Sequence, residues 1–102
     1  MKRTFTFEEA RKLLPAVRER TRRAIAKVEA FGEEGVPEDG PEVRGVLGSW
    51  AREMDELGIE VKGPWLVDFD SGDGYWCWRW PEEALEYYHG YDEGFGGRVR
   101  IQ

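Results

Sequence analysis

Trp65-Leu66-Val67-Asp68-Phe69-Asp70-Ser71-Gly72-Asp73-Gly74-Tyr75-Trp76-Cys77-Trp78-Arg79-Trp80 is the stretch that decides the fold. Residues 65–69 and 75–80 are aromatic and β-branched runs, which read as strands when turn residues bound them. The intervening Asp70-Ser71-Gly72-Asp73-Gly74 has the composition of a hairpin turn. Period-two alternation puts Trp76, Trp78 and Trp80 on one face of the second strand, and Tyr75, Cys77 and Arg79 on the other. We assign the tryptophan face to the core. A third strand is expected at 84–89, after a turn at Pro81-Glu82-Glu83, with a short helix as the alternative for that stretch. The tail from Gly90 to Gln102 reads as a glycine-rich loop, with room for a short closing strand at 99–101.

Upstream of this hairpin the periodicity changes. Thr6 followed three residues later by Glu9 is a capping box. Ala10, Leu13, Leu14, Val17, Ala24, Ile25, Val28 and Phe31 then recur at helical spacing, with polar Thr21 inside the stripe and Gly32 as the stop. Pro15 lies inside this pattern and removes one helical N–H, so we expect a break in helix direction there. Residues 32–41 are acidic and rich in Gly and Pro, a loop, with Pro41 placed to open the next helix. Val43, Val46, Leu47, Trp50, Met54 and Leu57 give a second helix over 42–57, ended by Gly58 and weakened by Gly45 and Gly48 by roughly 1 kcal/mol each. At 1.5 Å per residue this helix spans about 24 Å and the first about 37 Å. The overhang is the arm before Pro15, which should carry Phe5, Phe7, Leu13 and Leu14 onto the sheet. The expected architecture is one α+β domain over 1–102. It is an antiparallel two-helix hairpin, its first helix kinked at Pro15, packed with a small three-stranded antiparallel β-meander.

Composition excludes several classes. The chain has 102 residues, with 15 Lys+Arg against 21 Asp+Glu, for a net charge of -6. This argues against a nucleic-acid protein that works through bulk positive charge. A single cysteine cannot form an internal disulfide. No apolar run reaches the 18 or so residues that span a bilayer. Two early cations lack an apolar region behind them, so no signal peptide and a cytoplasmic location are expected. There is no Asn, the only Gln is Gln102, and Arg outnumbers Lys 11 to 4. Loss of thermolabile amides is a thermophile pattern, although a GC-rich genome also enriches Arg. Residues 1–28 hold nine cations and three acids, while 29–102 hold six and eighteen. The basic helix face is read as solvated and neutralised by the acidic remainder, with RNA binding a minor alternative.

The motifs that matter next are Phe5-Thr6-x-Glu8-Glu9-Ala10, Leu13-Leu14-Pro15, Leu57-Gly58-Ile59-Glu60-Val61-Lys62, Leu66-Val67-Asp68-Phe69 and Tyr75-x-Cys77-Trp78-Arg79. They continue with Glu82, Tyr87-x-His89 and Asp92-x-Gly94-Phe95-x-Gly97-Arg98. In order and spacing they resemble the prokaryotic domain-of-unknown-function family 2203. The resemblance covers residues 5–31 and 57–101 and is weak over 32–50. Pro81 stands where the family tends to have Gly, and Tyr88 where it tends to have Trp. The resemblance implies a fold and a set of positions, and no activity.

The residues themselves offer a few chemistries. His89 is the only histidine, so neither a His-His nor a His-Cys metal pair is expected in one chain. Glu82, Glu83, Glu86 and Asp92 are near it in sequence, and a carboxylate or backbone group holding the ring is the ordinary reading. Arg79 and Arg98 could grip an anion beside the Gly94-Phe95-Gly96-Gly97 loop, or pair with Glu82, Asp92 or Glu93 as structural ions. Cys77, mid-strand, reads as an inert buried thiol. Asp68-x-Asp70-x-Gly72 lacks the spacing to a closing Glu that a Ca²⁺ loop needs.

The candidate ligand site is therefore Arg79, Glu82, His89, Asp92 and Arg98. It has no catalytic assignment, no metal and no cofactor. The expected ligand is a small anion. The function read from this is a non-enzymatic, homodimeric binding module, since a two-helix layer on three strands leaves Tyr75, Cys77, Leu66 and Tyr88 as uncovered apolar surface. The alternative is a small metal-dependent hydrolase using His89 with Glu82 or Asp92.

Overall fold

The structure is a computed structural model that describes residues 3–101, so the ends of the expected 1–102 domain lie outside the described residues. Helix α1 spans Phe7–Glu33 and α2 spans Pro41–Glu56. The capping box forms as expected: Glu9 N–H donates to Thr6 Oγ1 at 3.1 Å, and Thr6 N–H donates to Glu9 Oε1 at 2.9 Å. Pro41 takes the first turn of α2, behind Gly40 as N-cap. Gly58, at φ +81°, ends that helix in a conformation few other residues adopt.

The expected break at Pro15 is corrected by the structure: α1 runs unbroken through it. Ala10, Leu14 and Val17, on both sides of the proline, are all buried in one core, which holds the helix together across it. Pro15 itself is exposed. A carbonyl left without its helical donor on that side can be hydrated. The arm does reach the sheet. Phe5 and Phe69 meet edge to face at 5.3 Å, Phe7 and Trp76 at 5.5 Å, and Phe5 N–H donates to the Asp70 carbonyl at 2.7 Å.

The sheet has five strands where three were expected: β1 Glu60–Gly63, β2 Leu66–Asp70, β3 Tyr75–Arg79, β4 Tyr87–His89 and β5 Val99–Arg100, in that spatial order and antiparallel throughout. β1 (Glu-Val-Lys-Gly) has one apolar residue and shows no alternation. It forms because the reversal at Pro64-Trp65, with Trp65 at φ +61°, folds it back on β2. β5 is two residues long and closes the edge. Of the stretch 84–89 only 87–89 is strand, and no helix forms there.

One face of this sheet is the core. Val67, Phe69 and Trp78 lie there fully buried with Phe5, Leu14, Val17, Trp50, Met54 and Ile59, and Trp76 and Trp80 pack at its margin. The tryptophan face is thus inward, as the alternation requires. Thr21, polar within the apolar stripe, has a partner. Trp50 Nε1–H donates to Thr21 Oγ1 at 2.9 Å, and Thr21 Oγ1–H donates to the Val17 carbonyl at 2.8 Å. This buried chain ties α2 to α1 without an unsatisfied group. The overhanging helices give the molecule extents of 43 × 25 × 23 Å. Among the described residues no helix is long and apolar enough to cross a membrane.

Candidate functional site

The second face of the sheet carries the chemistry. β2 and β3 pair Asp68 with Cys77, and β3 and β4 pair Tyr75 with His89. Strand alternation therefore sets Asp68, Tyr75, Cys77 and His89 side by side, opposite the core. The second face of an antiparallel sheet is commonly wet. Here Asp68 is 2% exposed, Cys77 0% and His89 3%. The cover is the chain's own segment 90–98, which lies over the face.

Several contacts hold that cover. Tyr91 stacks edge to face on Tyr75 at 5.1 Å, and its hydroxyl donates to Asp70 Oδ1 at 2.7 Å. Glu93 accepts the Gly90 N–H at 2.7 Å and packs so closely on Gly97 that a Cβ there would meet it at 2.7 Å. Tyr75 and Cys77, expected as uncovered apolar surface, are therefore buried within one chain, and that part of the argument for a dimer falls away.

At the floor, His89 Nε2 lies 3.0 Å from Asp68 Oδ2, and His89 Nδ1 lies 2.8 Å from the Gly90 carbonyl. One donor atom from each of Asp68, Cys77 and His89 falls within 4.8 Å of the other two. Asp68 Oδ1 is buried and has no hydrogen-bond partner. Such an orphan is uncommon and calls for a cause, because an unsatisfied buried carboxylate oxygen is costly. Burial, and after it the negative charge of Asp68, push the Cys77 thiol up to about 12. The thiol is therefore protonated at neutral pH and is no nucleophile. Above this floor is a cavity of about 240 Å³ walled by Lys62, Leu66, Tyr75, Tyr91 and Phe95. Lys62 Nζ sits 4.4 Å over the Tyr75 ring and 3.3 Å from Glu60. The Tyr75 hydroxyl donates to Glu60 at 3.0 Å, and burial together with that acceptor raises its pKa.

Of the five residues expected to converge, the structure joins three. Glu82 accepts Arg98 Nη2 at 2.8 Å and Nη1 at 3.1 Å, and its Oε1 also accepts the Arg79 backbone N–H at 2.9 Å. Arg98 is further held between the rings of Tyr87, at 4.0 Å, and Phe95, at 4.1 Å. The Arg79 guanidinium lies 5.4 Å from Phe95 and has no carboxylate partner among the described residues. His89 pairs with Asp68, and no bond joins it to Glu82 or Asp92 among the described residues. Asp92 is exposed and bonds to none of the others. The N–H groups of Gly97 and Arg98 are spent on the carbonyls of Gly94 and Phe95 and do not open toward an anion.

Asp68, in the first hairpin strand, and Cys77, expected to be an inert thiol, are absent from the expected site, and the structure sets Cys77 beside His89 although no His-Cys pair was expected. The signal was present in the hairpin: a turn over 71–74 sets Asp68 opposite Cys77 by register alone.

The model of a family described as an uncharacterised conserved protein, DUF2203, matches residues 34–101 of the chain. The match takes in α2, where the motif resemblance was weak, and stops short of α1. No curated protein and no solved structure matches the chain.

Proposed function

The chain belongs to the DUF2203 family of uncharacterised conserved proteins, and from that premise we propose that it is a binding module whose ligand site is the covered polar face of the sheet. The observation that carries this reading is a floor of Asp68, Cys77 and His89, each no more than 3% exposed, at the base of a cavity of about 240 Å³. Packing alone does not call for a carboxylate, a thiol and an imidazole there, and apolar residues of the same size would be at least as stable. The cavity suits an ion or a ligand of a few heavy atoms. Arg79, beyond Phe95 and without a carboxylate partner among the described residues, favours an anionic group near the mouth, where Lys62 is shared with Glu60. A binding role is favoured over catalysis because the thiol is held protonated and no activated nucleophile faces the cavity.

The homodimer keeps a narrower basis, the apolar depression between α2 and β1 lined by Leu47, Ala51, Val61 and Pro64. Such patches mark interfaces.

Amide chemical shifts of the labelled protein, recorded as inorganic phosphate, sodium acetate and zinc chloride are added one at a time, test the location. Shifts gathered on residue 68 and on 75–77 and 89–95 are expected. Shifts elsewhere, or none from any probe, would overturn the reading.

A further inference from the structure

We propose that Asp68, Cys77 and His89 hold one divalent transition-metal ion of the zinc class, with a remaining coordination position turned to the cavity; this rests on the site location argued above. Four features of the floor support it independently of one another.

The donor set is the first. An imidazole, a thiol and a carboxylate together match the borderline-soft ions, zinc and cobalt among them, whereas magnesium and calcium take oxygen donors. The second is spacing. The three donor atoms lie within 4.8 Å of one another. Ligand atoms around a tetrahedral ion with bonds of about 2.0–2.3 Å stand roughly 3.3–3.8 Å apart, so the widest pair would close by about 1 Å. Small rotations of side chains already facing one point would bring them in.

The third is the histidine tautomer. Nδ1 is 2.8 Å from the Gly90 carbonyl, so that nitrogen carries a proton and donates it. Nε2 is left for the floor, which is the orientation that an outer carbonyl imposes on metal-binding histidines. Without an ion, Nε2 and Asp68 Oδ2 at 3.0 Å need a second proton between them. The fourth is Asp68 Oδ1, buried and without a partner. A cation at the floor supplies the partner that Oδ1 lacks, while Oδ2 already faces His89 Nε2.

Charge and protons balance. The empty floor holds the thiol proton of Cys77 and the proton shared by His89 and Asp68. Binding M²⁺ releases both and leaves thiolate, carboxylate and neutral imidazole, whose two negative charges match the ion. Three protein donors leave a position open, the pattern of zinc sites that bind an exogenous ligand. A small anionic donor entering past Lys62 would reach it, so the ion reconciles an anionic ligand with a floor that otherwise presents a carboxylate.

Cobalt(II) chloride, added to chelator-treated full-length protein, is the direct probe. We expect one Co²⁺ per chain, a thiolate-to-cobalt charge-transfer band, and about two protons released per ion near neutral pH in a weakly buffered indicator assay. Zinc chloride should displace the cobalt and abolish the band. Cys77→Ser should lose the band, and Asp68→Asn should weaken binding at least about tenfold. Circular dichroism checks that each variant is folded, and the band and proton count of the unmutated protein decide the matter if a variant is not. No band from folded wild-type protein, or a full band in folded Cys77→Ser, overturns the metal site. If phosphate or acetate still shifts the amides of this face while no band forms, the metal assignment falls and the binding module stands. If neither probe acts there, both fall.

Discussion

His89 stands with its Nε2 3.0 Å from Asp68 Oδ2, and both side chains are almost completely buried. They come from strands β2 and β4, which do not pair with each other. β3 lies between them and contributes Cys77 to the same spot. Three residues far apart in the chain thus form one polar floor because two antiparallel registers agree.

Alkaline pH should destabilise the metal-free protein. The Cys77 thiol is pushed up to about 12 in the folded state, against an ordinary value of about 8.5. Above the ordinary value the unfolded chain has lost this proton while the folded chain keeps it. The unfolded state binds fewer protons, so stability falls as pH rises through that window, at most roughly 1.4 kcal/mol per pH unit for one group. Urea midpoints between about pH 9 and 10, before tyrosines titrate, should fall in the wild type and lie nearly flat in Cys77→Ala. Parallel slopes would contradict the assignment.

Arg98→Ala should lower the melting temperature clearly. The guanidinium is bidentate on Glu82, only 13% exposed, and stacked between Tyr87 and Phe95. Losing it leaves a half-buried carboxylate without its cation and loosens the cover. We expect a loss of about 1–3 kcal/mol, where each kcal/mol is worth roughly 4–8 °C in a domain of this size. Alkylation of Cys77 by iodoacetamide should also become faster. An unchanged melting temperature would return Arg98 to the role of a ligand-binding group.

Thr21→Val should cost about 1–3 kcal/mol by urea unfolding, because it strands the buried Trp50 indole N–H. Trp50→Phe in the Thr21→Val background should cost less than the same change in wild type, since the donor it removes is already unpaired. Additive losses would show that the hydrogen bond contributes little.

Pro15→Ala should stabilise the protein. α1 is continuous through an exposed Pro15, and a proline in a helix interior is up to about 3 kcal/mol worse than alanine. Restoring the N–H to the Arg11 carbonyl should raise the melting temperature. A fall would mean that the proline sets a helix direction the core needs.

Much of the fold was legible in the chain itself. The Thr6–Glu9 box, the apolar stripes of both helices, Gly58 after α2 and the hairpin turn within 70–74 are local signals that local chemistry decides, whereas Gly32, expected to stop α1, lies inside it. The alternation of Trp76 and Trp78 with Tyr75 and Cys77 fixed which residues share a face. Two errors have the same origin. The break at Pro15 was read from one missing hydrogen bond, but the buried neighbours Leu14 and Val17 outweigh it. Strand β1 was overlooked because Glu60-Val61-Lys62-Gly63 carries no pattern of its own and is a strand only through its pairing with β2.

The site divides along that line too. The sequence offered a carboxylate or a backbone group as the ordinary holder of His89, and for Arg98 either an anionic ligand or an acidic partner, with Glu82 among the candidates. Which carboxylate takes His89 was decided by tertiary structure. Glu82, Glu86 and Asp92 are nearer in sequence, yet β4 pairs to β3 in the register that turns His89 toward Asp68 and leaves Asp92 in solvent. The polar second face is covered because Tyr91 bonds Asp70 of β2, Arg98 sits on Tyr87 of β4 and pairs with Glu82, and Glu93 braces the covering segment internally on Gly90. Sequence patterns fix which side of an element a residue occupies, since that depends on backbone period alone. Burial and partner depend on what another part of the chain lays over that side, and no local period carries that information.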